Sequence, residues 1–368
     1  MKTNLLFQPF DLGKLHLENR IVMAPMTRNF SPDSTPTDEV ASYYRRRAEG
    51  GTGLIITEGT AVNHPVAVNS DAIPVFHGEK PLAGWKKVVD EVHGVGGKIM
   101  PQLWHQGMER KLGSGPNAQT PSIGPSGLLA PGKKISEPMS EAEVADVITA
   151  FVDAAVAAQE IGFDGIELHG AHGYLLDQFF WSGTNERSDR FGGDIPGRTE
   201  FVTEIVKETR KRVGSDYPII LRYSQWKQRD YEARLANTPE DLLTFLGPLS
   251  DAGVDVFHCS TRRYWEPEFE GSSLNLAGWT KKLVGKPTIT VGSVGLADDF
   301  FGSMVGQSSE VTGEQGLTNL LERLEREEFD LVAVGRALLV DPDWSNKIRA
   351  ERFDELSPFT KEALASLT

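Results

Sequence analysis

The sequence predicts an α/β fold, a single (β/α)8 (TIM) barrel, and three observations support this. Short runs rich in β-branched residues recur along all 368 residues, and we count eight of them as candidate strands. Stretches with helical periodicity lie between or after these runs, as in parallel βαβ units. Glycine and proline are dispersed as loop punctuation, with no low-complexity tract or linker, so we expect one domain over residues 1–368.

The apolar runs give the strands, and the periodic stretches give the helices. The predicted strands are residues 20–26, 53–58, 98–103, 165–169, 218–224, 254–259, 287–291 and 331–334. The predicted helices are residues 38–49, 81–94, 141–161, 198–213, 239–252, 276–284, 317–327 and 343–349. Capping signals support two helix starts: Ser140 precedes Glu143 by three residues, and Thr238 precedes Pro239.

Three further segments lie outside this repeating pattern. Residues 10–13 and 14–17 predict a small N-terminal β-hairpin that closes the bottom of the barrel. Residues 104–139, after the third strand, and residues 303–316, before the seventh helix, are longer than barrel loops need to be. Because long loops in compact domains are often functional, we expect 104–139 to cap the active site.

Charge and cysteine content exclude several classes of function. There are 38 Lys and Arg against 52 Asp and Glu, a net charge of −14, which argues against nucleic acid or an anionic membrane as partner. The first ten residues lack the apolar core of an export signal, and polar residues interrupt the apolar stretch around 148–163. The single cysteine, Cys259, precludes an intrachain disulfide and favours a reducing compartment, so we expect a cytoplasmic protein.

The candidate active-site residues follow the predicted strands, because barrel sites are built at the carboxyl ends of the strands. His169, His172 and Tyr174 follow the fourth strand, and Arg222 ends the fifth. The seventh and eighth strands end in Gly292-Ser293 and Gly335-Arg336. These two pairs match the phosphate cradle common in barrels, with close-approaching glycines and a cation. In the competing interpretation, the glycines only permit turns and Arg336 pairs with a carboxylate such as Asp341.

The histidines allow three interpretations on spacing alone. His169 and His172 could donate hydrogen bonds to one substrate oxygen, with Tyr174 as proton donor. They could instead form a metal site with Glu167 and His105, as in a metal-dependent barrel hydrolase or lyase. They could also cap backbone carbonyls in the core. Arg222 similarly faces either a bound anion or a buried carboxylate.

Five motifs, read together, resemble the old yellow enzyme family of FMN-dependent ene-reductases. They are APMTR at 24–28, QLWHQG at 102–107, HGAHGYLLDQF at 169–179, NERSDRFGG at 185–193 and VAVGRALLVDPD at 332–343. They occur in the family's order over nearly the whole chain. The larger relatives of this family that add an iron–sulfur cluster are excluded, because their cluster needs several cysteines and this sequence has one.

The resemblance implies a noncovalently bound FMN. Its phosphate would lie on the cradle of Gly292, Ser293, Gly335 and Arg336, and Arg222 would stabilise the reduced flavin from the N1–O2 side. Thr27 would hydrogen-bond the O4 edge. The residues implied to contact the ring system are Pro25, Met26, Thr27, Gly59 and Gln102.

The resemblance also implies a ping-pong reaction with NADPH or NADH as reductant. His169 and His172 would bind the carbonyl or nitro oxygen of an activated alkene, flavin N5 would deliver hydride to its β-carbon, and Tyr174 would protonate the α-carbon. Trp104 and Trp265 are candidate walls of the substrate pocket. The partners would be small molecules, and a homo-oligomer is compatible with the resemblance. A barrel that keeps flavin without turnover is the remaining alternative, which the intact histidines and tyrosine disfavour.

Overall fold

Eight parallel strands close into a barrel in the computed structural model, which describes residues 2–297 and 310–368. Each strand pairs with the next along the chain, and the last pairs with the first, so the predicted (β/α)8 fold is confirmed. The barrel strands are β1 Ile21–Met23, β2 Leu54–Ala61, β3 Ile99–Trp104, β4 Ile166–His172, β5 Ile219–Lys227, β6 Val256–Ser260, β7 Thr288–Val291 and β8 Leu331–Val334.

The outer helices lie close to the predicted positions. They are α1 Asp38–Glu49, α2 Glu79–His93, α3 Glu141–Ile161, α4 Ile195–Val213, α5 Pro239–Ala252, α6 Leu276–Val284, α7 Gly313–Glu325 and α8 Trp344–Arg349. Ser140 and Glu143 form the expected capping box, and the Thr238 side chain accepts a hydrogen bond from the backbone of Asp241. Two short helices, Leu175–Phe180 and Arg336–Val340, follow β4 and β8.

The strand ends differ from the prediction in a way that matters for the site. The predicted strand 20–26 stops at Met23, because Pro25 lacks the amide hydrogen needed to continue the ladder. Strands β4 and β5 instead run on to His172 and Lys227, which face each other after a register shift beyond Gly170. His169 and His172 therefore lie on a paired strand, and Tyr174 follows it as the N-cap of the short helix Leu175–Phe180.

The N-terminal hairpin is present as predicted. Its strands, Phe10–Leu12 and Leu15–Leu17, pair antiparallel, and Leu12 and Leu17 pack into the cluster of apolar side chains inside the barrel. Because that cluster also contains Val22 of β1 and Leu331 of β8, the hairpin closes the bottom of the barrel.

The long segment 104–139, which we expected to cap the active site, contains little regular structure. It carries a hairpin, Leu128–Ala130 with Lys133–Lys134, and a short helical turn, Gly107–Glu109. Beyond Trp104 none of its residues lines the cavity described below. The turn packs beside the short helix after β4 instead, where the backbone N–H of Met108 donates to Gln178.

Two further expectations concern loops and membranes. The expected loop 303–316 overlaps α7 from Gly313 onward, and residues 303–309 lie outside the described residues. Within the described chain, no helix combines the length and apolarity that crossing a membrane requires.

Candidate active site

A cavity of about 470 Å³ opens at the carboxyl ends of the strands, a volume typical of small-molecule sites. Most of the predicted site residues line it, so the barrel brings together side chains from β1, β3, β4, β5, β7 and β8. These lining residues are Pro25, Met26, Thr27, Gln102, Trp104, His169, His172, Tyr174, Arg222, Gly292, Ser293, Gly335 and Arg336.

Four aromatic side chains form a cluster at one end of the cavity, which we call the donor end. The His169 ring lies 5.2 Å from His172 and 5.0 Å from Tyr174, measured between ring centroids. Trp104 packs edge-on against Tyr174 at 4.9 Å. The two imidazoles and the phenol therefore meet at one place, as a shared substrate oxygen and an adjacent proton donor would require.

His172 is held in an unusual backbone conformation. Its φ is +67°, in the left-handed region. For a residue other than glycine this conformation is unfavourable in free energy, and it persists only where the surroundings enforce it. The backbone N–H of His172 donates to Ser224 Oγ at 3.0 Å, and Nε2 lies 2.8 Å from Ser260 Oγ. Trp226 stacks on the imidazole at 4.5 Å. These contacts fix the direction of the ring.

Burial sets the protonation states at the donor end. Desolvation lowers the pKa of both His169 and His172 well below the usual range, and the Arg222 charge lowers each further. Both imidazoles are therefore neutral at pH 7. Desolvation also raises the pKa of Tyr174, whose hydroxyl is hydrogen-bonded to Gln228, so Tyr174 keeps its proton. Nδ1 of His169 is buried without a hydrogen-bond partner in the protein.

A buried ion pair supports the turn that carries Tyr174. Lys227 Nζ lies 2.8 Å from Asp177 Oδ1, and neither side chain exposes more than 1% of its surface. The other oxygen of Asp177 accepts the backbone N–H of Gly173 at 2.6 Å, and Lys227 also donates to the carbonyl of Ser224. Desolvation raises the pKa of Asp177 to about 6, although Lys227 opposes the shift. The pair ties the end of β5 to the turn after β4.

Arg222 and Gln102 form the floor between the two ends of the cavity. Arg222 is 7% exposed, and its Nε has no partner in the protein although it is buried. Burial lowers the pKa of Arg222, but Glu167 opposes this effect, so the guanidinium stays charged. A buried cation with an unsatisfied donor beside a cavity is suited to an anionic ligand.

The opposite end, which we call the phosphate end after the phosphate cradle that the sequence predicts there, is built from backbone and one arginine. Gly292 has a φ of +146°, and a Cβ there would lie 2.7 Å from the carbonyl oxygen of Thr261, so only glycine fits. Ser293 has a φ of +53°, a conformation that favours glycine or asparagine. The Arg336 guanidinium donates to Ser293 Oγ at 3.4 Å. The two glycine-containing turns thus converge next to one cation.

Two of the predicted site residues do not line the cavity. A Cβ on Gly59 would lie 2.6 Å from the Trp104 ring, so Gly59 makes room for the indole rather than facing the cavity. Trp265 packs edge-on against Tyr264, and its carbonyl accepts a hydrogen bond from Arg323. Trp265 is therefore not part of the cavity wall.

Two residues considered for a metal site, His105 and Glu167, contact other side chains instead. His105 Nε2 lies 2.9 Å from His64, and Glu167 contacts Gln102 and His258 instead of His169. Over the described ranges, no group of three or more histidines, cysteines and carboxylates is placed to hold a metal ion. The geometry does not support the metal interpretation.

Sequence reasoning missed several residues of the wall. The side chains of Trp226 and Gln228 line the donor end, and Leu364 reaches the cavity from the C-terminal segment. The carbonyls of Ala363, Leu364 and Ser366 accept hydrogen bonds from Arg28, which holds this segment against the barrel. The predicted fifth strand ends at residue 224, before Trp226 and Gln228, and no local sequence pattern indicates Leu364.

Comparisons with known proteins identify a flavin oxidoreductase family. The model of the NADH:flavin oxidoreductase / NADH oxidase family matches residues 5–304. NADH oxidase of Thermoanaerobacter brockii is 36% identical over 95% of this chain and 52% of its own length. Metal reductase of Desulforamulus reducens is 30% identical over 96% of this chain and 50% of its own length. The chain thus spans about half the length of these two relatives.

Other relatives match over nearly their whole length. 12-Oxophytodienoate reductase 1 of Oryza sativa subsp. japonica is 28% identical over 99% of this chain and 92% of its own. The structure of morphinone reductase in complex with tetrahydroNAD superposes with a TM-score of 0.81 at 27% identity, covering 98% of this chain and 93% of that one. The old yellow enzyme homologue from Zymomonas mobilis, with a TM-score of 0.80 at 22% identity, covers 99% and 97% and supports the fold alone.

Proposed function

The chain belongs to the old yellow enzyme family of NADH:flavin oxidoreductases, and from that premise we propose that it is an FMN-dependent ene-reductase. In this proposal NADPH or NADH is the reductant, and a small activated alkene, with a carbonyl or nitro group, is the oxidant. The observation that carries the proposal is the convergence of His169, His172 and Tyr174 at one end of a cavity whose other end carries Arg336.

The residues of the cavity fit FMN in chemistry and arrangement. The turns at Gly292 and Gly335, with Ser293 and Arg336, would hold the phosphate through backbone N–H groups and one cation. Arg222, buried with an unsatisfied Nε, and Gln102 would hold the polar pyrimidine edge of the ring system. Pro25, Met26 and Thr27 would lie along the ring, whereas Gly59 would act on it only through Trp104.

When bound, FMN supplies hydride transfer, taking a hydride from NAD(P)H and giving it to the β-carbon of the oxidant. The protein's part is to orient the oxidant and to manage charge. His169 and His172, both neutral, would donate hydrogen bonds to the oxidant's carbonyl or nitro oxygen. These bonds strengthen as negative charge develops on that oxygen, and each donor contributes about 3 to 4 kcal/mol in comparable sites.

Tyr174 would then provide the proton for the α-carbon. Its hydroxyl is protonated at neutral pH because burial raises its pKa, and its ring lies 5.0 Å from that of His169. Trp104 packs edge-on against Tyr174 and would help to exclude water from this end of the cavity. A reductant and an oxidant that use the same cavity in turn would give ping-pong kinetics, without a separate dinucleotide-binding domain.

The test is an absorbance spectrum of the purified protein, followed by anaerobic additions of NADPH and then 2-cyclohexenone. We expect flavin bands that bleach with the nucleotide and return with the enone. A protein that stays colourless after incubation with FMN would overturn the cofactor assignment. Flavin that bleaches but does not return with a panel of enones and nitroalkenes would overturn the ene-reductase assignment.

The matched variant for this test is Tyr174→Phe, which removes only the hydroxyl. Reduction by NADPH should stay within about twofold of the parent, whereas return of the flavin bands with 2-cyclohexenone should slow by about 10²- to 10⁴-fold. Equal slowing of both half-reactions would contradict the role of Tyr174 as proton donor.

A further inference from the structure

Below the floor of the cavity lies a buried carboxylate that the proposed reaction does not use. Glu167 of β4 has no exposed surface, and its two oxygens contact different neighbours. Oε1 accepts a hydrogen bond from Gln102 Nε2 at 2.8 Å. Oε2 lies 2.6 Å from Nδ1 of His258, a β6 residue that is also fully buried. Glu167 thus joins β3, β4 and β6 immediately under the cavity.

This arrangement determines which way the Gln102 amide faces. An ionised carboxylate only accepts hydrogen bonds, so the NH2 group of Gln102 must face Glu167. The amide oxygen then turns away from Glu167, and the second N–H of the amide remains available to the cavity that Gln102 lines. A flavin pyrimidine edge carries both N–H and C=O groups, and such an amide can pair with both.

The same carboxylate also sets the charge of the floor. Arg222 is a cation on which this charge acts: Glu167 raises the pKa of Arg222, which pairs in register with His258 on one side and with His169 on the other. Burial lowers the pKa of His258, so this imidazole is neutral at pH 7, and its Nε2 is buried without a partner in the protein. Among the neighbours Gln102, His258 and Arg222, only Arg222 carries a positive charge that can offset the negative charge of Glu167.

We propose that Glu167 is a positioning residue for the cofactor, which orients the Gln102 amide and offsets part of the positive charge of Arg222. This inference rests on the proposed function, because it assumes that FMN occupies the cavity above the floor. Removing the charge of Glu167 would leave Arg222 uncompensated, which favours the reduced, anionic flavin over the oxidised, neutral one. Glu167 therefore holds the redox equilibrium of the bound cofactor toward the oxidised form.

The experiment uses Glu167→Gln, which keeps the size of the side chain and removes its charge. At equilibrium with a reference dye of matched potential, the ratio of reduced to oxidised flavin should rise by about tenfold. The glutamine can present either end of its amide to Gln102, so we also expect FMN to dissociate more readily. Fluorescence of released FMN should give a dissociation constant roughly three- to tenfold higher.

Glu58→Gln, compared at a pH of about 8.5, is the matched control, because Glu58 is a second buried glutamate, on strand β2. Burial raises the pKa of Glu58 to about 7, so its side chain carries a charge at this pH. It accepts the backbone N–H of Arg28 and does not line the cavity. Its replacement should change neither the redox ratio nor the FMN dissociation constant by more than about twofold. A shift of the same size in both variants would mean a general effect of buried charge and would overturn the proposal.

Glu167→Asp separates the effect of the charge from the effect of the side-chain length. Aspartate keeps the charge but is one methylene shorter, so we expect a redox ratio close to that of the parent together with weaker FMN binding. Parent protein that binds FMN, with Glu167→Gln and Glu167→Asp both indistinguishable from it, would overturn the inference and leave the proposed function standing. Parent protein that binds no FMN would overturn both.

Discussion

The two ends of the cavity are built in contrasting ways. The phosphate end follows two strands of four residues each, β7 and β8, and depends on two glycine turns and on Arg336. The donor end follows the long strands β4 and β5, and its histidines and tyrosine depend on residues far apart in the chain, such as Ser260 and Lys227. A phosphate needs backbone N–H groups and a cation, which a short local motif supplies.

The donor end has a harder geometric task. In the proposed reaction, two imidazoles and a phenol must meet at one substrate oxygen and one carbon, so their ring directions have to be fixed by packing. The strained backbone of His172 shows the cost, because the contacts from Ser224, Ser260 and Trp226 all act to hold this one residue. We therefore expect substitutions behind the donor end to lower the stability of the fold, and substitutions at the phosphate end to lower the affinity for FMN.

The largest expected effect comes from breaking the ion pair behind the donor end. Lys227→Met leaves the carboxylate of Asp177 buried without its partner, which should lower the free energy of unfolding by about 3 to 5 kcal/mol. Because the pKa of Asp177 is already raised to about 6, its protonation relieves the unpaired charge at low pH. The loss, measured by urea unfolding, should therefore be smaller at pH 5 than at pH 8.

The control is the double variant Lys227→Met with Asp177→Asn. The asparagine oxygen can still accept the N–H of Gly173, and no charge remains buried, so most of the stability should return. A double variant as unstable as the single one would show that shape, and not charge, accounts for the loss.

A smaller effect is expected at the phosphate end. Arg336→Ala removes the cation of the cradle but leaves the glycine turns, so the dissociation constant for FMN should rise about 10- to 100-fold. Enzyme saturated with FMN should still reoxidise with 2-cyclohexenone at the parent rate. Arg352→Ala is the control, because Arg352 pairs with Glu355 on the surface. An unchanged FMN affinity in Arg336→Ala would remove this residue from the cradle.

The contrast also explains what could be predicted from the sequence. The barrel follows from the positions of the apolar runs, and the convergence of the two glycine turns beside Arg336 follows from the glycines before Ser293 and Arg336. Phosphate binding at these turns stays a prediction. The alternatives at the histidines could not be resolved on spacing, because the outcome depends on partners from other strands. Glu167 contacts His258, and His105 contacts His64. The side chains expected to bind one metal ion therefore contact different partners.

Other residues were misplaced or missed for the same reason. Gly59 was expected against the flavin, but whether a glycine faces a ligand or a neighbouring ring depends on the packing of Trp104. Trp265 was expected in the pocket wall, but it does not line the cavity and packs edge-on against Tyr264 instead. Leu364 reaches the cavity from a C-terminal segment that Arg28, more than three hundred residues earlier, binds through its carbonyls.

The smallest expected effect is the pH dependence of the donor end itself. Burial keeps His169 and His172 neutral and raises the pKa of Tyr174, so none of the three should change its protonation state between pH 6.5 and about 8.5. The rate constant for reoxidation by 2-cyclohexenone, measured by stopped flow, should vary less than about twofold over this range. If the histidines acted as imidazolium donors, the rate would fall by about tenfold for each pH unit above their pKa. Such a fall would mean that His169 and His172 become protonated when the cofactor and substrate occupy the cavity.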